Sequence, residues 1–81
     1  MTSTPAMPDV AEHFAHCVQV LGGTTAAARR LGIDERAIRR FINQERPISA
    51  GLMEDTAKAL RLMMAEAAAA EAGIAAVLRG L

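Results

Sequence analysis

Aromatic residues are nearly absent from this sequence: there is no tryptophan, no tyrosine, and only Phe14 and Phe41. Much of its apolar content is alanine instead, with Leu, Met, Arg and Glu prominent. These residues lose little entropy in a helix, so the composition favours helices over strands. A single cysteine, Cys17, excludes an internal disulfide and fits a reducing compartment, so a cytoplasmic location is expected. No long hydrophobic run is present. Lys58, Arg61, Glu66, Glu71 and Arg79 interrupt the apolar C-terminal half, which predicts no membrane span. Met1 to Pro8 has neither a basic start nor an apolar stretch, so it does not read as a secretory signal. It reads as a disordered Ser/Thr/Pro tail. With 81 residues the chain makes one domain with a modest core, which a partner subunit can supplement.

Chemistry-bearing constellations are also missing. No nucleophile–base pair and no phosphate-cradling glycine loop occurs, so no enzyme is expected. Glu54 and Asp55 are adjacent on a helix and point in different directions, and Glu54 can pair with Lys58. His13, His16 and Cys17 lie close along one helix, but no further His or Cys completes a tetrahedron. Cys17 also falls on the apolar stripe. No metal, cofactor or small-molecule ligand is expected.

Net charge is zero, yet the charge is not evenly spread. Arg29, Arg30, Arg36, Arg39, Arg40 and Arg46 stand against only Asp34, Glu35 and Glu45, leaving that segment at +3 and the remainder at −3. Eight of the nine basic residues are arginine, the side chain suited to bidentate contacts with phosphate and guanine.

Helix signals surround this segment. Asp9 caps a first helix carrying Val10, Phe14, Cys17, Val18 and Leu21 at helical spacing, and Gly22-Gly23 ends it. Thr24 is placed to cap a second helix, Thr25 to Leu31, which Gly32 ends in a left-handed conformation. Asp34 caps a third helix running to about Asn43, with Ile38, Phe41 and Ile42 inward. Ser49 caps a fourth that extends to about Arg79, weakest at Gly73, a rod of about 45 Å. Ala28 is small where the second and third helices must cross closely. Ala27, Leu31, Ile33, Ile38 and Phe41 are apolar where a shared core is needed. Together these spacings point to a helix-turn-helix.

The run Thr24-Thr25-Ala26-Ala27-Ala28-Arg29-Arg30-Leu31-Gly32-Ile33-Asp34-Glu35-Arg36-Ala37-Ile38-Arg39-Arg40-Phe41-Ile42-Asn43 resembles the helix-turn-helix of the lambda-repressor and Cro superfamily. In size the chain is similar to small phage and prophage regulators, including those that accompany anti-CRISPR genes. The resemblance covers about Asp9 to Leu62. It implies an all-α, lambda-repressor-like bundle of four to five helices with a long C-terminal helix. It also implies that Glu35 and Arg36, with Arg39 and Arg40 a turn on, read base edges. Asn43 and Thr24 match positions that hold phosphate. Gln44 departs from the family, which often has glycine there. Independently of the resemblance, Arg36 and Arg40 are one turn apart and can enter a major groove together. Glu35 can accept from cytosine or hold Arg39. Arg46 and the start of the second helix, including Thr25, suit phosphates.

Met53, Thr56, Leu60, Met63, Ala67, Ala70, Ile74, Val77 and Leu81 alternate steps of three and four, a heptad seam. Its first part fits packing on the domain itself. Met63 to Leu81 is expected to join two copies, with Met63, Ala67, Ala70, Ile74, Val77 and Leu81 at the contact. The organisation expected is therefore a tail at 1–8, a DNA-binding domain at 9–62 and a dimerisation helix at 63–81. The function expected is a homodimeric repressor that occludes a promoter on double-stranded DNA. The alternative is an antitoxin- or adaptor-like interaction module using the Ala-rich C-terminal helix.

Overall fold

In a computed structural model, which describes residues 9–81, the chain folds into four α-helices. These are α1 (Val10–Val20), α2 (Thr24–Leu31), α3 (Glu35–Ile42) and α4 (Ala50–Gly80). There is no strand among the described residues. The N-terminal tail expected at residues 1–8 lies outside them.

Each helix boundary has a local cause. Asp9 Oδ1 accepts from the Ala11 N–H at 3.1 Å, satisfying a donor that has no intrahelical partner. After α1 the chain reverses at Gly22, where φ is +111°. The Gly23 N–H there donates to Val18 O and the Gly22 N–H to Gln19 O, which closes the end of the helix. A side chain at Gly22 would also sit 3.1 Å from Ala26 Cβ. Gly32 is left-handed as expected, at φ +69°. Asp34 Oδ1 accepts from the Arg36 N–H, and Ser49 Oγ accepts from the Leu52 N–H at 3.0 Å.

One expectation requires correction. Thr24 does not cap α2. The cap position belongs to Gly23, Thr24 is the first helical residue, and no side chain caps this end. The double glycine lets the chain enter the helix one residue early. Val10, in the first turn of α1, is 40% exposed.

The core forms where α1, α2, α3 and the start of α4 converge. Phe14, Val18, Leu21, Ala27, Ala28, Ile38 and Ala59 are buried together. Phe14 and Ile38 are fully enclosed, each worth about 1.5–3 kcal/mol of burial. Phe41 meets Phe14 edge to face at a centroid distance of 5.9 Å. Leu31, Ile33, Ile42, Leu52, Met53, Leu60 and Met63 close the periphery. Thr56 is the one buried polar side chain in the described core, and its hydroxyl donates to Leu52 O at 2.8 Å. That internal bond removes the cost of burying the hydroxyl.

α4 is continuous over 31 residues, through Gly73, and the molecule's longest extent is 51 Å. Its backbone runs close to α1 and α2 and less close to α3, whose Ile38 shares the core with Ala59. The packed helices thus sit on the first half of α4. Among the described residues no helix is long and apolar enough to cross a membrane.

Candidate nucleic-acid interface

α3 is held by one face and open on the others. Ile38 is fully buried, and Phe41 and Ile42 are half-buried beside it. Arg36, Arg39, Arg40 and Asn43 are exposed, and Glu35 is half-buried at the first turn. The helical period explains the division, since Ile38, Phe41 and Ile42 are three and four residues apart. Arg36 and Arg40 are likewise separated by one turn and share a face. Glu35 Oε1 lies 3.7 Å from Arg39 Nη1. At such exposure the pair adds little stability. Its effect is geometric: Arg39 is drawn back along the helix, while Arg36 and Arg40 have no carboxylate within ion-pair reach among the described residues.

The flanks differ from one another. Asn43 is the C-cap of α3 and donates its backbone N–H to Arg39 O. Gln44 follows at φ +63°, and it is the only described residue other than glycine with a positive φ. The Gln44 N–H donates to Phe41 O and the Glu45 N–H to Arg40 O, so the chain is locked into a turn usually given to glycine. Arg46 then folds back with its guanidinium 5.5 Å from the centre of the Phe41 ring. Thr24 and Thr25 begin α2, where the first amides point outward without a side-chain cap. Thr25 is exposed and lines a shallow groove between α2 and α3, together with Arg29, Gly32 and Glu35.

Of the six arginines in the basic segment, Arg30 has another partner. It forms an ion pair with Glu66 on α4, thirty-six residues away. Nothing local in the sequence marks a pair so far apart, nor the seat of Arg46 on Phe41. The irregular position of Gln44 was visible as the place where glycine is usual.

His13 and His16 are exposed with ring centroids 6.1 Å apart, whereas Cys17 is buried behind them. Burial pushes the Cys17 thiol above its ordinary value, because the thiolate would lose its hydration. The cysteine acts as a small apolar side chain.

The apolar face of α4, the seam residues with Ala59 and Leu78 beside them, divides at Met63. Thr56, Ala59, Leu60 and Met63 are covered to different degrees by the domain. Ile74, Val77, Leu78 and Leu81 are 60–92% exposed, and Ala67 and Ala70 are exposed as well. Each of the four large residues stands about five turns beyond a covered one, Thr56 to Ile74, Ala59 to Val77, Leu60 to Leu78 and Met63 to Leu81. The apolar stripe therefore continues in one direction, past the end of the domain that covers it.

No family model, no curated protein and no solved structure matches this chain.

Proposed function

We propose that this protein is a sequence-specific DNA-binding transcriptional regulator, a homodimeric repressor that occludes a promoter. The observation that carries this proposal is the state of α3. One side is anchored by the fully buried Ile38, the opposite side offers Arg36 and Arg40 one turn apart, and the backbone of α4 keeps clear of it. In this view α2 and α3 act as a helix-turn-helix of lambda-repressor type. The start of α3 enters a major groove, where arginines pair bidentately with guanine O6 and N7. Glu35 accepts from a neighbouring cytosine or steers Arg39. Thr24, Thr25, Asn43 and Arg46 lie at the flanks, where phosphates fix the register of a bound helix. Dimerisation through Met63 to Leu81 supplies a second half-site, and the two sites add their energies.

The test is selection of bound sequences from a random DNA pool, followed by shift assays across a salt series. A regulator enriches one motif, in two-fold symmetric form, and its affinity falls steeply with salt. No enrichment of any motif refutes the proposal. One observation favours a second reading, an interaction module of adaptor or antitoxin type: the uncovered apolar face of α4. A protein of that kind forms no sequence-dependent DNA complex.

A further inference from the structure

Resting on the dimer proposed above, the direction in which two copies join follows from where the domain sits. We infer that the C-terminal halves of two α4 helices pair antiparallel, so that Ile74 and Val77 of one copy seat on Ala70 and Ala67 of the other.

The first argument is steric. The stripe that is bare at Ile74, Val77 and Leu81 is the same stripe that carries the domain at Thr56, Leu60 and Met63. A parallel partner laid on the bare part would also have to lie along the covered part. There it would meet α1 and α2, which already occupy that face. Its own domain, on the face turned inward, would claim the same space. An antiparallel partner avoids both conflicts, because its domain projects beyond the far end of α4.

The second argument is size. In an antiparallel pair each a position faces a d position of the other helix. With the two-fold axis beside residue 72, Ile74 meets the partner's Ala70, Val77 meets the partner's Ala67, and Leu81 meets the partner's half-buried Met63. Large side chains thus face small ones along most of the overlap, and the helix spacing stays even. A parallel pair would set alanine on alanine at 67 and 70, then Ile74, Val77 and Leu81 each on itself. The helices would have to diverge toward their ends, leaving gaps that forfeit packing.

Charge distinguishes the two arrangements less sharply. Glu66 and Glu71 flank the stripe. A parallel pair places Glu66 beside the partner's Glu71 on both sides. The antiparallel pair has one like-charge contact, Glu71 with the partner's Glu71 near the axis. A contact of this length buries on the order of 1,000 Å² in total, at the threshold of a specific interface, so the dimer is concentration-dependent. Isolated monomers seldom leave so continuous an apolar strip in water.

Gly73 and Gly80 provide the test. Both occupy the same flank of the stripe, and a side chain added at either meets nothing within 4 Å. In a Cys17→Ala background, Gly73→Cys and Gly80→Cys would carry nitroxide labels, and pulsed dipolar spectroscopy would read the distance between copies. Antiparallel pairing brings the labels at 73 together near the two-fold axis and leaves those at 80 about 24 Å apart along the helices. Equal short distances at both positions would overturn the antiparallel arrangement while leaving a dimer. Sedimentation of the labelled and unlabelled proteins reads the dimer itself. A monomer at all concentrations would overturn the pairing together with the dimeric reading, whatever the DNA result.

Discussion

Gln44 holds a left-handed backbone at the exit of α3, and replacing it with glycine isolates the cost of that conformation. For an L-residue the left-handed region costs about 1–2 kcal/mol, and glycine does not incur it. Glycine also gives the unfolded chain more freedom, which returns about 0.5–1 kcal/mol. The Gln44 side chain is exposed, and no hydrogen bond joins it to a described residue, so nothing else is lost. Both backbone bonds of the turn, Gln44 N–H to Phe41 O and Glu45 N–H to Arg40 O, remain available to glycine. The net expectation for Gln44→Gly is a gain of about 0.5–1 kcal/mol, or roughly 2–8 °C in Tm for a domain of this size. Thermal unfolding followed by circular dichroism at one fixed protein concentration is the assay, since the Tm of a dimer would depend on concentration. Gln44→Ala is the control. It keeps the strained backbone and should change Tm little. A lower Tm for Gln44→Gly, or an equal rise in both variants, would show that the turn is not held in the left-handed region.

Arg36→Ala and Arg40→Ala should each weaken binding to the selected DNA site by about 1–3 kcal/mol and relax one position of it, with unchanged thermal stability; shift titrations against single-base variants read both effects. Ala28→Leu should destabilise the protein by about 1–3 kcal/mol in chemical denaturation, because Ala28 is buried and 7% exposed where α2 meets α3. Ile74→Asp should yield a helical monomer in sedimentation that has lost tight DNA binding, since it places an unpaired charge in the stripe proposed to pair. Cys17 ionises later in the folded protein than in the unfolded chain, where its ordinary value is 9.0. The unfolded state therefore gains from ionisation first, and the Cys17 contribution to stability should decline as pH rises above about 9. Cys17→Ala, compared by denaturant titration across that range, should remove this part of the pH dependence.

The helices were largely legible in the sequence, because their signals are local. Asp9, Asp34 and Ser49 each precede an apolar-periodic run, and each does accept a backbone N–H from the first turn. Gly32 ends α2 as its freedom from a Cβ suggests. The entry to α2 differs from the expectation: Thr24 is a good capping residue, yet two glycines before it allow a conformation at Gly23 that needs no side chain. The continuity of α4 through Gly73 also followed from its period, as one glycine costs only about 1 kcal/mol in a helix this long. What could not be read was contact at long range. The Arg30–Glu66 pair depends on how α2 settles against α4. The position of α3, its backbone clear of that of α4, depends on the packing of all four helices. For the candidate site, the sequence indicated which arginines lie on the face opposite Ile38. It gave no sign that Arg46 would rest on Phe41, whereas the Glu35–Arg39 pair is one of the two options its spacing allows.

The most direct measurement is a competition between the site selected from random DNA and a scrambled site of equal composition, titrated with the wild-type protein at about 50 and 200 mM salt. A groove-reading α3 requires the selected site to bind about a thousandfold or more tightly than the scrambled one, with both affinities falling steeply as salt rises. Equal affinity for the two sequences would contradict it, whatever the absolute strength of binding.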